Sequence, residues 1–189
     1  MPSVCVYCAS SPQIPGRYVE LAVQVGQEIA GRQWTLVSGG GSESMMGAVA
    51  RATRLGGGHT IGVIPQALVD YEVADHDSDE LIVTSTMRER KAIMDDRADA
   101  FLALPGGIGT LEELMEVWTS RHLRMHEKPV VVLDPWGDFE LLRAQVLHWQ
   151  QLGFVREHAV AQLLWTTSVQ EACDAIQATW ATADSMQGL

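Results

Sequence analysis

Basic residues are scarce in this chain. Lys and Arg number 13 against 24 Asp and Glu in 189 residues, a net charge of −11. A chain this acidic is a poor non-specific binder of nucleic acid or anionic membrane, so neither is an expected partner, and an anionic substrate would need a locally basic pocket. Cysteine is scarce too: three residues without framework spacing predict free thiols in a reducing cytoplasm. No apolar run approaches the roughly 20 residues of a transmembrane helix. Met1 to Ser10 lack the basic and long apolar segments of a signal peptide, so the expected location is cytoplasmic. Repeats and low-complexity runs are absent. What remains is of ordinary globular composition, 47% apolar and 20% charged. The length suits one domain over residues 1–180, with 181–189 expected as a flexible tail.

Short β-branched runs alternate with amphipathic ones. Strands are expected at Ser3–Tyr7, Thr35–Val37, His59–Ile64, Leu81–Thr84, Ala100–Leu104, Pro129–Leu133 and, briefly, Leu163–Trp165. Helices are expected from Pro15 to Arg32, Met45 to Leu55, Met87 to Asp95, Gly109 to Arg124, Phe139 to Leu152 and Ser168 to Trp180, with Gln66 to Glu80 irregular. Gly153 reads as a helix stop, and Ser168 with Glu171 as a capping box. Apolar strands alternating with helices predict an α/β, Rossmann-like three-layer fold, a parallel sheet with helices on both faces. Ligands in such folds bind beyond the carboxyl ends of the strands.

Two glycine clusters stand there. One is Gly39-Gly40-Gly41, with Gly47 in the following helix; the other is Gly106-Gly107-Ile108-Gly109-Thr110. Glycine lets backbone approach a ligand, and the next helix offers free N–H groups, a combination suited to phosphate. Neither cluster has the Walker Lys-Ser/Thr, and Tyr7-Cys8-Ala9-Ser10-Ser11 after the first strand is not G-x-G-x-x-G. Each cluster alone reads equally well as a tight turn; two in one small domain argue for a ligand. Between them Arg88, Arg90, Lys91 and Arg97 place four of the 13 basic residues within ten positions. Arg90 and Lys91 suit a phosphate or a purine edge, although a solvated helix face would look the same. Glu112-Glu113 favours the start of a helix, and a carboxylate beside a phosphate turn also suits ribose hydroxyls or a water.

Pro105-Gly106-Gly107-Ile108-Gly109-Thr110-Leu111-Glu112-Glu113 resembles the PGGxGTxxE signature of the LONELY GUY (LOG) family, and Met87-Arg88-Glu89-Arg90-Lys91 resembles its MHxRK signature. The similarity runs from Ser3 to about Trp180. Two departures are Arg88 for the usual His and Ser44-Met45-Met46-Gly47 for Gly-Leu-Met-Gly. The resemblance implies a phosphoribohydrolase that cleaves the N-glycosidic bond of cytokinin riboside 5′-monophosphates (N6-modified AMP), and of AMP, to free base and ribose 5-phosphate. It implies no metal or other cofactor, and dimers or higher assemblies. By position it makes Arg90 and Glu113 catalytic. It places Glu72, Met87, Lys91, Gly106, Gly107, Ile108, Gly109, Thr110, Leu111, Glu112 and Thr119 at the substrate, with Gly39, Gly40, Gly41 and Gly47 as a phosphate turn. Rival readings are a non-catalytic nucleotide-binding module and a housekeeping AMP nucleosidase.

Glu113 would stabilise an oxocarbenium-like ribosyl cation, hold a hydroxyl or orient water. Arg90 would stabilise charge on the departing adenine; its pKa above about 12 makes it a poor acid. Cys5 and Cys8 read as buried structural thiols, and His122 and His126 as helix-end groups rather than zinc ligands. The helix from Gly109 carries Leu111, Leu114, Met115, Val117 and Trp118, apolar over more than one stripe. It is therefore expected to build part of a homodimer contact, with Thr119 and Arg121 approaching a neighbouring site.

Overall fold

The computed structural model describes residues 1–69 and 73–187, with side chains through residue 182. The elements in chain order are β1 (Ser3–Tyr7), α1 (Gly16–Gly31), β2 (Thr35–Ser38), α2 (Ser44–Leu55), β3 (Thr60–Pro65), α3 (Gln66–Val69), β4 (Glu80–Thr84) and α4 (Met87–Arg97). There follow β5 (Ala100–Ala103), α5 (Ile108–His122), β6 (Val130–Leu133), α6 (Glu140–Gln151), α7 (Glu157–Ala161), β7 (Leu163–Thr166) and α8 (Val169–Gln187). The strands form one parallel sheet in the order β4-β3-β2-β1-β5-β6-β7, with register pairs such as Val4 with Leu36 and Tyr7 with Ala103.

The two-residue period of the strands divides the core into two layers. Val4, Val6, Leu102 and Val131 face one layer, with Val25, Ile29 and Val49 of α1 and α2 and Ile176 of α8. Cys5, Tyr7, Phe101 and Val132 face the other, with Met94, Leu114, Trp118 and Val146 of α4, α5 and α6. Burying each large side chain contributes about 1.5–3 kcal/mol, and the central strands bury residues on both faces. In the first layer α1 and α2 touch backbone to backbone: a Cβ on Gly26 would lie 2.4 Å from the Val49 carbonyl oxygen.

Three features depart from the sequence reading. The short α3 and α7 fall in stretches expected to be irregular or unassigned. Pro65 is the last residue of β3 rather than a residue beyond it. And α8 continues through Gln187 instead of ending near Trp180, so residues 181–187 extend a helix where a tail was expected. Trp180 anchors that helix, its indole donating to the Asp99 carbonyl at 3.0 Å and meeting Trp34 edge to face. The caps at Ser168 and Gly153 form as the sequence implies, and a further one forms at Thr86. Ser168 accepts from the Glu171 N–H, Thr86 caps α4 by accepting from the Glu89 N–H, and Gly153 follows α6 at φ +81°.

Candidate active site

Winding from β1 proceeds outward through β2, β3 and β4, and from β5 in the opposite direction through β6 and β7. The reversal between β1 and β5 leaves a crevice beyond their carboxyl ends. The loop Cys8–Ser11 and the turn Pro105–Gly107 flank it, and a cleft of about 230 Å3 opens there. Arg90 and Glu113 line this cleft together with Gly107, Ile108, Gly109 and Thr110.

The turn after β5 is tight on its inner side and open on its outer side. A Cβ on Gly106 would lie 2.1 Å from Thr110 Oγ1, so glycine is required for the turn to close on the buried Thr110. At Gly107 and Gly109 the reason differs, since a Cβ there would meet nothing within 4 Å. Gly107 caps α5, whose first regular backbone bond runs from the Leu111 N–H to the Gly107 carbonyl. The N–H groups of Ile108, Gly109 and Thr110 therefore point out of the helix end, with its positive dipole, beside open space.

Arg90 has only 4% of its surface exposed. Its Nε donates to the Val63 carbonyl and its Nη2 to the Gly39 carbonyl, both at 3.0 Å. Its Nη1 lies 3.9 Å from Glu113 Oε1, too far for a hydrogen bond but close enough for strong mutual attraction in a buried setting. The first glycine cluster supplies the seat. A Cβ on Gly39 would lie 1.9 Å from Arg90 Nη2, and one on Gly47 1.7 Å from the Ser42 carbonyl oxygen. Gly40, at φ +75°, accepts from the Asp75 N–H. Gly39, Gly40, Gly41 and Gly47 are all buried and none lines the cleft. At Gly39, where a phosphate turn is expected, the Arg90 guanidinium occupies the space beside the backbone, whereas Gly40 packs on Val63 and Ile64 and Gly47 on Ser42.

The other expected site residues separate into groups. Met87 is half-exposed, with Sδ 3.9 Å from Arg90 Nη1, and Ile108 is 88% exposed on the rim of the cleft. Lys91 and Glu112 meet each other: Lys91 Nζ bonds Glu112 Oε1 and, at 2.7 Å, Glu116 Oε2, tying α4 to α5 outside the cleft. Those two carboxylates hold the Lys91 pKa above its ordinary value. Leu111 packs into the α4–α6 core layer, and Thr119 is exposed further along α5 without lining the cleft. Glu72 lies outside the described residues. Arg88 is exposed and does not line the cleft either.

Cys8, Ser10, Ser11 and Met46 line the cleft and were not singled out as site residues. The signal for the first three is topological: they follow the strand at which the winding reverses. Cys8 is no nucleophile, since burial, with the charge of Glu113, pushes its thiol far above the ordinary range. Cys5 is raised in the same way, and both thiols are buried and unpaired. Both ring nitrogens of His126 are engaged, with the Val117 carbonyl and the Lys128 N–H.

A family model described as "possible lysine decarboxylase" matches residues 46–176. A cytokinin riboside 5′-monophosphate phosphoribohydrolase of Mycobacterium marinum is 53% identical over 173 residues, 92% of each chain. The Mycobacterium tuberculosis protein of the same name is 55% identical over 170 residues, 90% of each chain. The chain belongs to the LOG family. Among solved structures, a molybdenum cofactor binding protein of Rippkaea orientalis aligns with TM-score 0.70 at 26% identity, covering 94% of this chain and 96% of that one. A molybdenum cofactor carrier protein of Chlamydomonas reinhardtii aligns at 0.72 and 22%, covering 95% and 98%, a likeness of fold. The description as a decarboxylase finds no lysine at the cleft. The chain has two lysines, Lys91 held by its carboxylates and Lys128 donating to the Asp95 carbonyl.

Proposed function

We propose that this protein hydrolyses the N-glycosidic bond of cytokinin riboside 5′-monophosphates, and of AMP, to free base and ribose 5-phosphate. The observation that carries the reading is the buried Arg90 facing Glu113 at 3.9 Å beside the open N-terminus of α5. The relatives bearing the phosphoribohydrolase name support it. In this reading the 5′-phosphate takes the N–H groups of Ile108 to Thr110 and the Thr110 hydroxyl. That anchor positions the sugar between the two charged side chains. As the C1′–N9 bond breaks, its electron pair passes to the base, where Arg90 offsets the growing negative charge. Arg90 stays protonated throughout, so the proton that neutralises the base comes from solvent. The ribosyl cation faces the Glu113 carboxylate, and water adds to C1′ as Glu113 accepts its proton.

We further propose a cytoplasmic homodimer. Leu114, Val117 and Trp118 of α5 are buried within the subunit, so the apolar breadth of the middle of that helix is already used. Exposed apolar side chains remain at its first residue, Ile108, and just past its end, Leu123 and Met125, and these favour a partner there. No helix among the described residues is long and apolar enough to cross a membrane. The reaction is tested by following released base from AMP, N6-isopentenyl-AMP and the matching nucleosides. Cleavage of the nucleotides well ahead of the nucleosides is expected; binding without release supports a carrier-like module instead. Light scattering tests assembly: a mass near 20.7 kDa, the mass of one chain, contradicts the dimer.

A further inference from the structure

The cleft does not end at the phosphate turn. Past Gly107, Ala9 and Ser11, which border both spaces, it continues into a trough of about 390 Å3. Ile14, Met45 and Pro105 give this trough apolar walls, and among the described residues Asp138 is the one charged side chain lining it. A second phosphate, attached to the first, would have to leave the turn into such a space.

Asp138 is held there by a built arrangement. Its own N–H and that of Phe139 donate to the two carboxylate oxygens of Asp134, at 2.7 and 2.9 Å, and Gly137 takes φ +78° to make the bend. The Tyr18 hydroxyl donates to Asp138 Oδ1 at 2.8 Å and accepts from Arg17 Nη2 at 2.8 Å. The Tyr18 proton is thereby committed and unavailable to a ligand. Arg17, the neighbouring cation, is stacked over Tyr18 at 4.8 Å and over Trp136 at 4.7 Å and does not line the trough. Beyond the Ser11 hydroxyl and the glycine turn at its mouth, the trough thus offers a carboxylate and hydrocarbon, and no cationic side chain among the described residues lines it to pair with a second phosphate.

We propose that Asp138 is a specificity-determining residue that restricts this site to nucleotides with a single 5′-phosphate, by like-charge repulsion of a β-phosphate. The proposal rests on the phosphate-binding role given above to the α5 turn. It assigns Tyr18, Arg17 and Trp136 the task of holding the carboxylate in place.

Titration calorimetry and base release with AMP and ADP, in metal-free buffer so that no cation masks the second phosphate, test it on the wild type, Asp138→Asn and Asp138→Lys. Asp138 is exposed and screened by water and by Arg17, so the wild type is expected to favour AMP by about threefold or more, and ADP affinity to rise about threefold in Asp138→Asn and further in Asp138→Lys. ADP binding as tightly as AMP in the wild type, or ADP affinity unmoved in both variants, overturns the proposal. A wild type that binds AMP without releasing adenine contradicts the hydrolytic reading instead, and the affinity ratios still decide the role of Asp138. Binding of neither nucleotide overturns both.

Discussion

Two glycine clusters of similar appearance follow strands β2 and β5, and the structure uses them in opposite ways. Around Gly39 the missing Cβ makes room for protein, because the Arg90 guanidinium fills the space and bonds the glycine carbonyl. At Gly107 and Gly109 the missing Cβ leaves the space empty, beside a helix end whose N–H groups have no helical acceptor. A glycine-rich turn after a strand is therefore ambiguous until it is known what lies against it. Here one cluster seats the cation and, in the proposed reading, the other receives the anion, so the two act on one cleft from different sides.

The largest expected effects fall on the charged pair between the clusters. Glu113→Gln keeps size and removes the charge facing the ribosyl cation, and should lower kcat by about 10²–10⁴ with an unchanged circular dichroism spectrum. A rate within a few-fold of wild type, with the fold intact, would remove Glu113 from the mechanism. Arg90→Ala should lose about 10² or more in kcat, whereas the exposed Arg88→Ala stays within a few-fold. A more damaging Arg88→Ala would mean that the basic segment is read two positions out of place.

Alanine at each cluster tells the two uses of glycine apart. Gly39→Ala pushes a methyl into Arg90, and should reduce both thermal stability and kcat, by about 1–3 kcal/mol and about tenfold or more. Gly107→Ala meets no protein atom at a φ of −93°, and should leave the melting temperature within about a degree while raising KM for the nucleotide. Steady-state kinetics and thermal melts on the two variants separate the roles. Equal melting losses at both positions would erase the distinction.

The smallest effect concerns Asp95, behind the site on α4. Burial, reinforced by the charge of Glu116, raises its carboxyl to about 6. A raised folded-state value means the native protein holds this proton more tightly than the unfolded chain. That contribution to stability is present below about pH 4 and is lost as pH rises through about 6. Asp95→Asn should therefore raise the melting temperature at pH 8 by a few degrees, about 1 kcal/mol allowing for its partial exposure, with the gain vanishing near pH 4. Melts across that range check the sign, and a gain that grows toward low pH would reverse the assignment.

Much of this architecture is legible in the chain. Alternation of β-branched runs with amphipathic ones marks all seven strands to within a residue or two, because the central strands are buried on both faces and read as continuous apolar runs. The α3 and α7 helices escape because four or five residues carry no helical period. At the site, Arg90, Glu113 and the turn after β5 are found by motif and spacing. The purpose of Gly39 is not, since it depends on a side chain 51 positions away that reaches it only in the folded sheet. Lys91 shows the same limit: its basic character suggests an anionic ligand, and packing supplies Glu112 and Glu116 instead.

Hydrolysis at the Arg90–Glu113 cleft is put to the test by product analysis. Wild-type protein incubated with N6-isopentenyl-AMP should release the free base and ribose 5-phosphate in equal amounts, turning over many times per chain, while Glu113→Gln binds the nucleotide and releases neither. A wild type that binds the nucleotide and returns it intact, or a Glu113→Gln variant that matches its turnover, would contradict the account.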